Sequence, residues 1–202
     1  MNNNDRERIS AYYDRLVDQH GYSPEARDAR SEDSLQARYR VLAGVADLAH
    51  KTVLEVGCGF GDLGKFILER FEDVRYLGID ISPRMIAVGS SRHPKLNLRI
   101  GDVLNWEPPQ PVDVVLAQGI FYLLGPPAEP KMRTLIRRMY DLAGQAVACC
   151  TVSSWAERKD ADEFYPDPLA TLEYCHTITS RLALHHEYLP NDFTLYLYRD
   201  GR

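Results

Sequence analysis

Apolar positions fall at helical spacing over residues 5–19, where Ile9, Tyr12, Tyr13, Leu16 and Val17 share one face. They do so again over residues 33–49, through Leu35, Tyr39, Leu42, Val45 and Ala46. His20-Gly21 predicts the end of the first helix, and Tyr22-Ser23-Pro24 opens a polar connection. After Lys51 the texture changes to short β-rich runs: Thr52–Val56, Val74–Asp80, Leu96–Ile100, Val112–Gln118 and Gln145–Val152. Several are continuously apolar, as strands covered on both faces of a parallel sheet must be. Between them the pattern predicts a helix over 62–70, one opened by the cap and proline of Ser82-Pro83, and one over 129–142. Met132, Leu135, Ile136, Met139 and Leu142 form the apolar face of the last. This alternation means βαβ units in an α/β, doubly wound fold.

The end of the chain breaks the rhythm. Arg181–Tyr188 and Phe193–Tyr198 are β-like runs separated only by Leu189-Pro190-Asn191-Asp192, too short a gap for a crossover helix. The expected sheet is therefore seven-stranded and mostly parallel, closed by an antiparallel hairpin. Residues 1–202 read as one domain, with 1–50 as a helical cap and 51–202 as the core.

Composition narrows the class. Of 202 residues 45% are apolar and 26% charged, which is globular, and that length leaves no room for a large second domain. The 24 Lys and Arg against 29 Asp and Glu give −5, which argues against nucleic acid as the main partner. No apolar leader or membrane-spanning run is present, so the expectation is a cytoplasmic protein without a membrane partner. Cys58, Cys149, Cys150 and Cys175 have no metal-ligand or disulfide spacing. The oligomeric state stays open.

The strongest local pattern is Val53-Leu54-Glu55-Val56-Gly57-Cys58-Gly59-Phe60-Gly61, an apolar strand feeding a glycine turn and then a helix. Such a turn lets an anionic, nucleotide-like ligand approach the backbone at the carboxyl end of the first strand. Gly59-x-Gly61-x-x-Gly64 matches the dinucleotide fingerprint literally, and Asp80 follows Gly59 by 21 residues. That match is out of register, because the strand ends at Val56 and Gly57 is the first glycine of the turn.

Glu55-Val-Gly-Cys-Gly-Phe-Gly61 instead resembles the first motif of the class I S-adenosylmethionine-dependent methyltransferases. Gly78-Ile79-Asp80-Ile81-Ser82, Gly101-Asp102-Val103 and the closing hairpin agree in order, and the resemblance covers residues 52–200. It implies a Rossmann-like core with two added amino-terminal helices, S-adenosylmethionine as cofactor, S-adenosylhomocysteine as its product, and no metal. It further implies that Gly57, Gly59 and the carbonyls around Cys58 contact the methionine amino group while Glu55 braces the loop. Asp80 would hold the ribose hydroxyls, Ile81 the adenine face, Asp102 beside Val103 the adenine amino group, and Gln118 with Phe121 the methionine and methyl end. A strand-end carboxylate without a neighbouring cation also suits a diol on its own chemistry, although it could instead cap the next helix. Arg38 is either a clamp for the cofactor carboxylate or a solvated helix arginine.

Three segments are expected over the cofactor: the first helix with Tyr12, Tyr13, His20 and Tyr22, the turn after the fourth strand with Phe121 and Tyr122, and the stretch from Ser153 to Pro168 with Trp155, Glu163, Phe164 and Tyr165. Tyr13 and His20 are the catalytic candidates; Tyr12, Tyr22, Tyr122, Trp155 and Tyr165 are candidate acceptor contacts. Gln118-Gly119-Ile120-Phe121 departs from the Asn/Asp-Pro-Pro-aromatic motif of base amino methyltransferases, and Gln118 with Ser153-Ser154 stands where metal-dependent relatives carry carboxylates. His176 lies near a helix end and reads as structural, and Lys131, Arg133, Arg137 and Arg138 read as a solvated helix face. The expectation is N- or O-methylation of a small molecule. Its rivals are an RNA or protein methyltransferase and a cofactor-binding subunit without activity.

Overall fold

The computed structural model describes residues 3–27 and 31–199. Strands β1 (Thr52–Val56), β2 (Arg75–Asp80), β3 (Asn97–Ile100), β4 (Val112–Gln118), β5 (Ala143–Val152), β6 (Leu182–His185) and β7 (Asp192–Tyr198) form one sheet in the order β3-β2-β1-β4-β5-β7-β6. Every pairing from β3 to β5 is parallel, and β7 runs antiparallel to both β5 and β6. The expected hairpin is therefore present, with β7 inserted between β5 and the edge strand.

All five residues of β1 are buried, since helices cover both faces of the sheet. One face packs α2 (Glu32–Ala43) and α3 (Asp62–Leu68) through Leu35, Leu42, Leu63 and Ile67. The other packs α5 (Ala128–Leu142) through the predicted Met132, Leu135, Ile136 and Met139. Two more helices complete the set, α4 (Pro83–Arg92) and α6 (Pro168–His176), the latter ending at His176. No helix among the described residues is long and apolar enough to cross a membrane.

The second helix is shorter than its apolar spacing predicts. It stops at Ala43, where the Gly44 amide reaches back to the Arg40 and Val41 carbonyls, and Val45 is buried from the turn that follows. The basic face of α5 is also not wholly solvated. Lys131 donates to the Leu124 carbonyl at 3.0 Å and pairs with Asp5 at 2.9 Å, while Arg138 donates to the Val103 and Trp106 carbonyls, both at 3.0 Å. Long cationic side chains at these positions tie the loops after β4 and β3 to the helix, which spacing on the helix alone does not reveal.

Helix α1 (Asn3–His20) crosses the carboxyl edge of the sheet. Ser10 donates to the Ile81 carbonyl at 3.1 Å, and Ser82 donates to Asp14 at 2.6 Å. The cap is thus fastened to the turn after β2, next to the glycine loop.

Candidate functional site

The loop from Gly57 to Gly61 turns back on itself through three left-handed glycines, with φ of 71°, 52° and 85° at positions 57, 59 and 61. The amides of Gly57 and Cys58 both donate to the Ile79 carbonyl, at 2.8 and 3.0 Å, and so pin the loop to the end of β2. Gly59 donates to one oxygen of Asp80 at 2.8 Å, and Ser82 donates to the other at 2.8 Å. Ser82 itself caps α4 by accepting from the Met85 amide, so Asp80 is not the helix cap. Burial raises the Asp80 pKa, opposed by those amides, and Asp80 has no ion pair among the described residues. Asp80 is thus held rigidly with lone pairs left over.

This loop floors a cavity of about 750 Å³ at the carboxyl edge of the sheet, roofed by α1 and the segment after β5. Gly57, Cys58, Gly59, Asp80, Ile81, Asp102, Val103 and Gln118 all border it, as the sequence reading expects. Asp102 also accepts from the Leu104 amide at 3.0 Å. The Gln118 Oε1 is buried without a hydrogen-bond partner among the described residues, so the wall presents an unsatisfied acceptor.

Other placements differ. Phe121 is 1% exposed inside the core below the cavity, and Ile120 takes its place in the wall. The Gly119 amide, bonded to the Cys150 carbonyl, continues the strand ladder one residue past β4 before the chain turns, and the turn sends Phe121 inward. Glu55 accepts from the Tyr76 hydroxyl, so what it braces is the neighbouring strand rather than the loop amides; burial pushes its carboxyl up to about 8. Arg38 borders the cavity but is not solvated: its guanidinium pairs with Asp192 at 2.9 Å.

Of the cap residues, Tyr13 and His20 border the cavity, and the Tyr13 hydroxyl bonds that of Tyr122. His20 is exposed at the rim. Tyr12 lies outside the wall, edge-on to Tyr13 at 5.4 Å. Tyr22 is also outside: its hydroxyl bonds Asp62, its ring packs 5.1 Å from Phe60 under the Arg92 guanidinium, and burial raises its pKa to about 12. Tyr22 therefore sews the cap to α3. Trp155 is 51% exposed and stacks on His186 at 5.0 Å, outside the cavity, because the Ser153 hydroxyl takes the Trp155 amide and turns the chain outward. Tyr165 stays in the wall and donates to Glu163 at 2.6 Å. The segment is docked by the Phe164 amide on the Tyr122 carbonyl at 2.8 Å.

Thr151 and Asp192 are among the wall residues that escaped the sequence reading. Thr151 did carry a signal, a hydroxyl at the carboxyl end of an apolar strand. Asp192 looked like part of a hairpin turn. No group of side chains suited to a metal ion occurs among the described residues.

A family model described as a methyltransferase domain matches residues 54–145. Trans-aconitate 2-methyltransferase of Methylobacterium radiotolerans is 30% identical over 102 residues, 50% of this chain and 37% of that protein. The enzyme of the same name from Sinorhizobium fredii is 33% identical over 101 residues, with the same two shares. The chain thus matches little more than a third of the length of these relatives. Among solved structures, DhpI with SAH superposes with a TM-score of 0.72 at 19% identity, over 100% of this chain and 99% of that one. Magnesium protoporphyrin IX methyltransferase of Synechocystis with bound SAH gives 0.71 at 12% identity, over 97% and 100%. At such identities the structures speak for the fold alone. Residues 54–145 match a methyltransferase domain, and in motifs and fold the chain resembles the class I S-adenosylmethionine-dependent methyltransferases.

Proposed function

We propose that residues 1–202 form one catalytic domain that binds S-adenosylmethionine in this cavity and methylates a small molecule at oxygen or nitrogen. One observation carries the reading: Asp80, a buried strand-end carboxylate fixed by two backbone amides and faced by no cation among the described residues, offers its remaining lone pairs to a neutral diol. The unpartnered Gln118 Oε1 fits the same ligand, because an ammonium group supplies the missing donor.

In this reading Asp80 holds the ribose, Ile81 packs on the adenine, and Asp102 beside Val103 receives its amino group. Gly57, Cys58, Gly59 and Gln118 hold the methionine end, where the second edge of Arg38 meets the carboxylate. Bound there, S-adenosylmethionine supplies an electrophilic methyl group on a sulfonium and is left as S-adenosylhomocysteine. The protein's own contribution is alignment in a water-poor pocket, with tyrosine faces favouring the sulfonium charge. Tyr13 in its bond to Tyr122, and His20 at the rim, are the groups placed to take an acceptor proton. The location we propose is the cytoplasm, with a small molecule rather than nucleic acid as partner.

Calorimetric titration with S-adenosylmethionine, S-adenosylhomocysteine and NAD tests this. Saturable binding of the first two and none of NAD is expected; binding of NAD alone overturns the reading.

A further inference from the structure

The cavity has two polar poles on opposite faces of the sheet. Gln118 is in register with Cys150, and Cys150 neighbours the Arg38–Asp192 pair, so these groups share one face. Thr151 is the next residue along β5 and points to the other face, where the segment roofing the cavity begins. It is 3% exposed, and its Oγ1 has no hydrogen-bond partner among the described residues. A buried hydroxyl left unsatisfied costs stability, so a position that keeps one in a cavity wall is explained by a ligand that satisfies it.

Resting on the methyltransferase reading, we propose that this second pole takes an uncharged, hydroxylated aromatic ring, hydrogen-bonded by Thr151, and rejects polycarboxylates. Aromatic and aliphatic side chains line the same cavity: Tyr13, Tyr122 and Tyr165 with Ile120 and Leu123. Such walls bury a flat ring and leave one hydroxyl to be matched. The framework cations of the wall are committed away from this pole, to acidic partners and, at Arg38, to the cofactor end. Arg27 pairs with Asp62 and Glu32, and Arg38 pairs with Asp192. Among the described residues the remaining guanidinium in the wall is Arg158, exposed on the roof. Several desolvated carboxylates need several such partners, and the wall instead adds the carboxyls of Asp80, Asp102 and Asp160.

The transfer balances simply. A lone pair of the phenolic oxygen becomes the new O–CH3 bond, the S–CH3 bonding pair stays on sulfur as a neutral thioether, and the phenolic proton passes to His20 at the rim and on to water. Thr151 is a positioning residue, since it orients the ring and exchanges no proton.

The test uses the full chain with catechol and trans-aconitate as probes, read by labelled methyl transfer, with affinity for S-adenosylhomocysteine measured in parallel. Wild type should methylate catechol and leave trans-aconitate untouched. Thr151→Val should raise the catechol KM about fivefold to tenfold, the loss of one neutral hydrogen bond, and keep S-adenosylhomocysteine affinity. Thr151→Ser should restore the wild-type KM. Ligand-free Thr151→Val should melt about 2 °C higher or more, because the orphaned hydroxyl is gone. Transfer to trans-aconitate, no transfer to catechol by cofactor-bound enzyme, or an unchanged KM in Thr151→Val each overturns the proposal. Failure of wild type to bind S-adenosylhomocysteine overturns the methyltransferase reading beneath it.

Discussion

The Arg38 guanidinium on α2 donates to the Asp192 carboxylate at the start of β7 at 2.9 Å, across 154 residues of sequence. Both side chains are largely buried, and burial opposes the arginine charge while Asp192 restores it. Removing one partner strands the other charge in a low-dielectric site. Asp192→Asn should therefore cost about 3 kcal/mol in urea unfolding. The double variant Arg38→Met with Asp192→Leu should recover most of that loss, since no charge is left behind. A double variant as unstable as the sum of the single ones would show that the pair does more than neutralise itself.

Asp80→Asn is the sharpest probe of the cofactor reading. Each Asp80 oxygen already accepts a backbone amide, from Gly59 or from Ser82. An asparagine must turn its own NH2 toward one of those donors, which loosens the loop or the α4 cap, and it offers the ribose fewer lone pairs. Affinity for S-adenosylmethionine should fall roughly 10- to 100-fold, the worth of one or two charge-assisted hydrogen bonds. Calorimetry measures this, with circular dichroism confirming the fold. Unchanged affinity would remove Asp80 from the site.

Glu55 makes stability depend on pH. Burial holds its proton up to about pH 8 in the folded chain, against 4.5 for the ordinary group, despite the opposing Tyr76 hydrogen bond. Between those values the folded state binds more protons than the unfolded one, so stability falls as pH rises. The slope is at most about 1.4 kcal/mol per pH unit. Glu55→Gln keeps an acceptor for the Tyr76 hydroxyl and cannot ionise. Urea melts at pH 5 and pH 7.5 should show the wild type losing on the order of 2 kcal/mol more than the variant. Parallel pH profiles would mean that another group carries the dependence.

The strands and the glycine loop were legible because each is written locally. A continuous apolar run means a strand buried on two faces, and a glycine at a strand end means a backbone bent toward a ligand. The cavity-facing Asp80, Asp102 and Gln118 follow from that, since strand ends converge by topology alone. The roof was less legible. Tyr12, Tyr22 and Trp155 have the composition of an acceptor wall, yet their directions are set by contacts far along the chain: Tyr13 for the first, Asp62 and Phe60 for the second, His186 for the third. Arg38 shows the same limit, because its partner Asp192 opens β7, 154 residues away along the chain. Spacing within one element gives a face, and what stands opposite that face is decided by long-range packing.

Gly57 couples the loop to the wall residue that replaced Phe121 in the sequence reading. Its φ is 71°, and a Cβ there would stand 2.4 Å from the Ile120 Cγ2, far inside contact distance. Gly57→Ala therefore meets two separate costs, a left-handed backbone at a non-glycine residue of about 1 kcal/mol or more and a clash with one side chain. The next nearest atom is also Ile120, its Cβ at 3.8 Å, so the clash has a single source. Gly57→Ala should lower the melting temperature by several degrees and weaken cofactor binding, because the loop must move away from Ile120. Adding Ile120→Ala should return part of the melting temperature, the part owed to the clash, while the part owed to φ persists. Ile120→Ala alone should enlarge the cavity with little effect on the loop. A thermal melt of the four proteins separates the two costs. If the double variant melts no higher than additivity of the single changes allows, Ile120 is not what the glycine makes room for.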